Sequence, residues 1–496
     1  MIETYVTFAL YLVFMIFVGV YFFFKSKSVS DYLLGGRAVG SWVTALSAQA
    51  SDMSGWLLMG LPGAVYLAGL GEAWIAIGLG VGTLLNWLIV APRLRVYTEK
   101  TNSMTLAAFF SLRFRDPTGY MRVFSAIITL FFFTIYAASG LNATGNLFEE
   151  MFKIPYQYAV VIGAAVLLIY TFLGGYLAVC WTDLFQGILM FAALILVPIC
   201  AINYAGGCES VSTAMQAKGL TYSLLPKADN ITLAVLAIFS ASAWGLGYFG
   251  QPHILVRFMS IKSPKLLPRT ITIAMVWVIF SLIAAVVIGF VAMPLFQNLD
   301  NKTCEKVFIY MVRDPKIFNP WIGGILLAAI LAAIMSTIDS QLLVSSTTLT
   351  EDFYKFIHSD ASPKVLMRMS RIFVIIITII ASGLALMRTE TIFSLVKFAW
   401  GGFGAAFGPV VIMSLYSRKT SWQSAFAGMI MGTAIMLLWY VLGFGKYMYE
   451  IVPGFFSGLI TIFIMNKFFP QKNECILKDF DEVANWKNSA ADSKES

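Results

Sequence analysis

The sequence predicts an all-α polytopic membrane protein whose core is two sets of five helices in opposite orientation. Three observations carry this. Of 496 residues, 59% are hydrophobic and only 12% charged, against about 25% charged in an ordinary soluble domain. Thirteen apolar runs are long enough to be bilayer-crossing helices, which need about 20 residues each. The second and seventh runs, each opening a set of five, are interrupted by polar or Gly-rich stretches.

The runs lie near 4–24, 39–66, 71–91, 121–147, 156–177, 182–204, 229–255, 268–296, 318–350, 368–387, 391–415, 421–443 and 447–468. The first contains Glu3, lacks a basic leader and is followed by Lys25 and Lys27, so it reads as a retained anchor rather than a cleaved signal. Residues 1–468 then form one transmembrane domain, with the repeat core at about 39–415. Residues 469–496 form a polar tail, predicted to be mobile. The stretch 104–115 is too short to cross and is predicted to be an interfacial helix.

The net charge of +8 does not imply a nucleic-acid partner, because the basic residues are scattered between apolar runs. With the N-terminus placed outside, 24 of the 34 Lys and Arg fall on the inner side, nine on the outer side, and Lys397 inside a run. Inner loops carry such an excess, so the N-terminus is expected outside and the C-terminus in the cytoplasm. His253 and His358 are the two histidines, and the five cysteines form no Cys-x-x-Cys pair. No zinc, haem or iron–sulfur site is therefore expected. No Ser-His-Asp set or phosphate loop is present either, so enzymatic chemistry is not expected. Cys208 and Cys304 fall in two outer loops and could pair, with two free thiols the favoured reading. No obligate protein partner is implied.

Polar residues inside spans are costly and mark functional positions by default. The second run reads Ala48-Gln49-Ala50-Ser51-Asp52-Met53-Ser54-Gly55-Trp56. Ser and Asp compete for backbone hydrogen bonds and Gly tolerates broken geometry, so an unwound midpoint is predicted. Its freed carbonyls are hard ligands for a small cation, and the next half-helix start suits a carboxylate. The bland alternative is a kinked structural helix with Asp52 in a salt bridge. The seventh run breaks at Trp244-Gly245-Leu246-Gly247-Tyr248-Phe249-Gly250-Gln251-Pro252. Its formal G-x-G-x-x-G lacks the strand and acid of a dinucleotide site. Trp244, Tyr248 and Phe249 instead offer faces for a small ring or amine, or simple packing.

In the ninth run Ser336 and Ser340 share a face, with Thr337 and Asp339 between them. Their hydroxyls suit an alkali cation, against the alternative of back-bonding to the helix. Asp183, at the start of run six, is a helix-start acid or a stop on an ion path. Lys397 either snorkels or neutralises a buried acid such as Asp339. Gly401-Gly402-Phe403-Gly404-Ala405-Ala406-Phe407-Gly408-Pro409 permits close helix packing.

At these residues the chain resembles the sodium/solute symporter family. The matching segments are Asp31-Tyr32-Leu33-Leu34-Gly35-Gly36-Arg37, Ala45 through Pro62, Trp244 through His253, Ala328 through Leu343 and Trp400 through Pro409. The resemblance implies thirteen helices on a five-plus-five inverted repeat and one co-transported sodium ion. The ion falls on the carbonyls of Ala50, Met53 and Ala333 and the hydroxyls of Ser336 and Thr337. Asp52 matches the ion-coupled acid and Asp183 an acid on the inward ion path. Solute contacts fall on Ser54, Gly55, Trp56, Tyr136, Trp244, Tyr248 and Pro252. Asp339 and Gln49 depart from the family pattern, where small residues stand, and an acid three residues past Ser336 could support a second cation. The implied activity is sodium-driven uptake of L-proline across the cell membrane by alternating access. Another amino acid, a betaine, a vitamin or a sugar is the alternative within the family; a channel or receptor is the alternative outside it.

Overall fold

Backbone groups inside a bilayer find no water, so apolar runs satisfy them internally as helices. The computed structural model describes residues 2–25, 33–226, 228–358, 360–388 and 390–486. Asp31 and Tyr32 of the first matching motif, and the end of the tail, lie outside these described residues.

The chain begins with α1 (Ile2–Lys25), then α2 (Ser41–Gly55) and α3 (Leu61–Ala68) joined through one π turn. The helices α4 (Ala73–Leu85), α5 (Ala91–Lys100) and the short α6 (Leu106–Phe114) follow. Next come α7 (Tyr120–Phe152), α8 (Tyr156–Tyr204) and α9 (Gly207–Ala217). The second interrupted helix is α10 (Ile231–Ser242) and α11 (Pro252–Ser260), separated by a 3-10 stretch. Then α12 (Leu267–Leu295), α13 (Val307–Arg313), α14 (Pro320–Thr348) and α15 (Pro363–Leu386) lead to α16 (Ile392–Tyr416), α17 (Trp422–Val441), α18 (Ile451–Phe468) and α19 (Glu474–Ala484).

By length and composition, eleven helical stretches among the described residues can cross a membrane. The predicted runs at 39–66 and 71–91 share one of these stretches, Ser41–Lys100. Within the run at 156–177 the apolar stretch Tyr156–Ile169 is described, and α8 kinks at Gly175, where φ is 63°. α14 and α16 are buried along most of their length, the mark of helices enclosed by others. α2, α8 and α14 pack on one another, and α11 packs on α2, so the two interrupted helices meet inside the bundle.

α6 packs one face against the bundle: Phe109, Phe110, Arg113 and Phe114 are buried, while Leu112 is exposed. Its N-cap Thr105 accepts the Ala108 N–H, and it ends on a left-handed Arg115. The tail is not all mobile, because α19 packs Ile476, Phe480 and Val483 inward. Its acids meet the bundle at Lys100–Asp479 (3.0 Å), Arg115–Asp479 (3.2 Å) and Arg418–Asp481 (3.0 Å). Apolar burial orders this helix, since such exposed pairs contribute little. Finally, α11 continues to Ser260, past the predicted end of its run at 255, and Arg257 on it is buried.

The second break packs against α4 through glycines. A Cβ on Gly245 would stand 2.2 Å from the Gly78 carbonyl oxygen, and one on Gly78 2.2 Å from that of Ser242. Neither obstacle is a movable side chain. Gly245→Ala and Gly78→Ala are therefore expected to destabilise by about 1–3 kcal/mol each, read as a lower melting temperature in detergent. Gly383→Ala, in open space, should leave it near wild type.

Candidate ion and substrate site

The first break falls at Ser54, where φ is 45° and ψ −175°. A non-glycine residue with positive φ is strained and persists only where its surroundings hold it. Its own hydroxyl helps, accepting the Trp56 N–H at 3.0 Å. Four residues earlier, the Ala50 carbonyl accepts the Ser336 hydroxyl at 2.7 Å and, at a longer 3.5 Å, that of Thr337. The same hydroxyls reach back to the Ala333 carbonyl at 3.1 and 3.3 Å. Two carbonyls and two hydroxyls from α2 and α14 thus gather in one buried spot. A small cation there would meet hard oxygens only. Met53 is buried one turn along α2, and its carbonyl accepts the Trp56 N–H.

Asp52 links this spot to an aromatic enclosure. Its carboxylate accepts the Tyr248 hydroxyl, and its carbonyl accepts that of Tyr136 at 3.4 Å. Trp56 and Trp244 stack with centroids 5.2 Å apart, so the two broken helices meet face to face. Trp244 also packs on Phe393 and Tyr449, at 5.5 and 5.4 Å. The buried Trp56 Nε1 has no hydrogen-bond partner, which suits a donor awaiting a polar ligand. Ser54 and Gly55 are buried at the break. Pro252 opens α11 after an extended Gln251, where a proline's missing N–H costs nothing.

Asp183 lies away from this enclosure. It accepts the Ser47 hydroxyl at 2.6 Å and Arg257 Nη2 at 3.1 Å, all three being fully buried. Asp339 accepts the Thr171 hydroxyl on α8 at 3.1 Å. Lys397 sits over the Tyr449 ring, its Nζ 5.1 Å from the centroid. All five cysteines are free.

Several contributors were missed in the sequence. Trp400 donates its indole N–H to the Trp244 carbonyl at 2.8 Å and packs edge-on against Tyr248. Phe393 joins the enclosure from the first turn of α16, whose N–H groups at Ile392 and Phe393 are accepted by Glu305 at 3.1 and 2.9 Å. The signal for Arg257 was its position four residues after His253, on the half-helix beyond the break.

Comparison with known proteins places these features in a family. The model of the Sodium:solute symporter family matches residues 32–432. The Sodium/proline symporter of Escherichia coli is 44% identical, over 99% of this chain and 98% of its own length. The High-affinity proline transporter of Bacillus subtilis is 45% identical, over 94% of this chain and 98% of its own. Among solved structures, a sodium-coupled sialic acid symporter in a substrate-bound outward-open state shares the fold. Its TM-score is 0.79 at 21% identity, over 95% of this chain and 99% of that one. A nucleobase-cation-symport transporter with bound bromovinylhydantoin is more distant, at TM-score 0.58 and 13% identity, over 92% and 99%. With a family model spanning both broken helices and the hydroxyl pair between them, the chain belongs to the sodium:solute symporter family.

Proposed function

We propose that this multi-pass membrane protein takes up L-proline together with sodium by alternating access, a transporter rather than an enzyme. The observation that carries the reading is the meeting of Ser336 and Thr337 with the Ala50 carbonyl, at 2.7 and 3.5 Å, beside a helix broken at Ser54. The names of relatives 44 and 45% identical supply the solute. Sodium is co-transported cargo, held by Ala50, Met53, Ala333, Ser336 and Thr337. Proline lies between Trp56, Trp244 and Tyr248, with Ser54, Gly55, Tyr136 and Pro252 completing its surroundings. Its carboxylate suits the half-helix start after Ser54, and its ring the indole faces.

Asp52 touches both parts, through Tyr248 on one side and the α2 backbone on the other. Sodium held between α2 and α14 therefore fixes the broken helix that shapes the proline enclosure, and each ligand tightens the other by the same factor. At −100 mV one inward charge supplies about 2.3 kcal/mol. That alone supports accumulation of roughly 50-fold, at about 1.4 kcal/mol per tenfold. Asp183 is an acid on the inward path.

We read thirteen crossings, with the N-terminus outside and the C-terminus in the cytoplasm. The end bearing Arg37, α6 and α19 is then cytoplasmic. Arg37 ties it shut, donating to the carbonyls of Thr98 (2.7 Å), Ser103 (2.9 Å) and Met259 (3.1 Å). The solute is tested by competition: excess L-proline should abolish sodium-driven uptake of labelled proline, while excess betaine or a hexose should not. Equal inhibition by betaine would reassign the solute and leave the sodium site in place.

A further inference from the structure

A second polar cluster lies one helical turn from the ion spot. Ser340 on α14 donates to the Ser336 carbonyl at 2.9 Å, so the two clusters are joined across one helical turn. Around Ser340 gather the Asp183 carboxylate of α8, the Ser47 hydroxyl of α2 and the Arg257 guanidinium of α11, none of them exposed to solvent. Arg257 donates from Nη2 to Asp183 (3.1 Å) and to Ser340, and from Nε to Ser47 (3.1 Å). Its Nη1 donates to the His253 carbonyl at 2.8 Å, and the guanidinium faces the Tyr176 ring at 5.4 Å.

A carboxylate with two serine hydroxyls is a hard-oxygen donor set suited to an alkali ion. Here a guanidinium fills it, and Asp183 Oδ1 is still buried without a partner. We propose that Arg257 is a tethered cation occupying a second cation pocket formed by Asp183, Ser47 and Ser340, so that one sodium suffices per transport cycle. A buried carboxylate demands a compensating charge. Arginine supplies it permanently, since it does not lose its proton. The pocket also bridges α11 to α2 and α8, so Arg257 positions the half-helix that carries His253 and follows Pro252. Asp339, the acid that the sequence suggested for a second cation, meets Thr171 on α8 instead.

This inference rests on the sodium-coupled reading above. It is tested by the sodium dependence of proline uptake, with the charge moved per proline, in proteoliposomes of the full-length chain. Wild type should show a Hill coefficient near one and one charge per proline. Arg257→Lys, which keeps a cation, should stay near one. Arg257→Met should move toward two, with a raised half-saturating sodium concentration, as a second sodium replaces the lost charge. Asp183→Asn/Arg257→Met, with no charge to compensate, should return toward one. If Arg257→Met does not reach the membrane, the double variant should still exceed Asp183→Asn alone, which strands the arginine.

An Arg257→Met protein with an unchanged Hill coefficient and charge ratio would overturn the proposal. So would a double variant no better than Asp183→Asn. A wild type indifferent to sodium would overturn the transport reading and this one together. A sodium-dependent wild type with an unaltered Arg257→Met overturns only this one.

Discussion

Ser336→Ala is expected to raise the half-saturating sodium concentration for uptake by on the order of 10- to 100-fold. The hydroxyl is placed 2.7 Å from the Ala50 carbonyl and 3.1 Å from that of Ala333. Losing one oxygen facing a cation costs about 1.5–3 kcal/mol, and 1.4 kcal/mol is tenfold. Thr337→Ala should cost less, because its hydroxyl is farther from Ala50, at 3.5 Å. Ser336→Thr and Thr337→Ser keep the oxygens and should recover much of the loss. The measurement is initial-rate uptake across a sodium series. Maximal rate at saturating sodium should change less than sodium affinity. A Ser336→Ala protein with wild-type sodium affinity would remove the hydroxyl pair from the ion site.

Asp52→Asn is expected to have the larger effect, a fall of 100-fold or more in uptake at fixed sodium. Asparagine keeps the shape and can still accept the Tyr248 hydroxyl, so the variant isolates the charge. Removing one partner of a buried charged arrangement costs about 3–5 kcal/mol. Tyr248→Phe keeps the carboxylate and removes its donor, which should cost about 1–3 kcal/mol and show mainly in proline affinity. The pair of variants therefore separates the two ends of the link. If Asp52→Asn weakens proline and sodium binding equally while Tyr248→Phe does nothing, Asp52 does not act through Tyr248.

The architecture was legible because bilayer physics leaves a strong trace: long apolar runs, and polar residues that a span retains only for a reason. Gln49, Ser51, Asp52 and Ser54 in one run pointed to a break, and the chain leaves the helix at Ser54. The three glycines after Trp244 pointed to a second break, found as a 3-10 stretch ending in an extended Gln251. The hydroxyl pair was legible from its spacing, but its partner was not. That Ser336 meets Ala50, 286 positions away, is a fact of tertiary packing.

What the sequence hides shares a cause. Arg257 falls just past the predicted run 229–255, because a charge usually ends an apolar run. The structure instead encloses it with Asp183, Ser47 and Ser340, contributed by three other helices. The mixed composition of α6 does not show its anchor, the Arg113 Nε donating to the Ser414 carbonyl on α16 at 2.9 Å. Its guanidinium also faces Phe480 of α19 at 5.3 Å, so the tail helix too is ordered by partners distant in sequence. A single sequence shows which residues carry polar groups, and not which distant element satisfies them.

The most direct test of the central claim is uptake of radiolabelled L-proline into proteoliposomes under an inward sodium gradient, an inward proton gradient, or neither, each with and without an inside-negative potential. Accumulation above equilibrium is expected with sodium, enhanced by the potential, and none without sodium. Uptake that is equal with and without sodium, or that only equilibrates proline across the membrane, would contradict it.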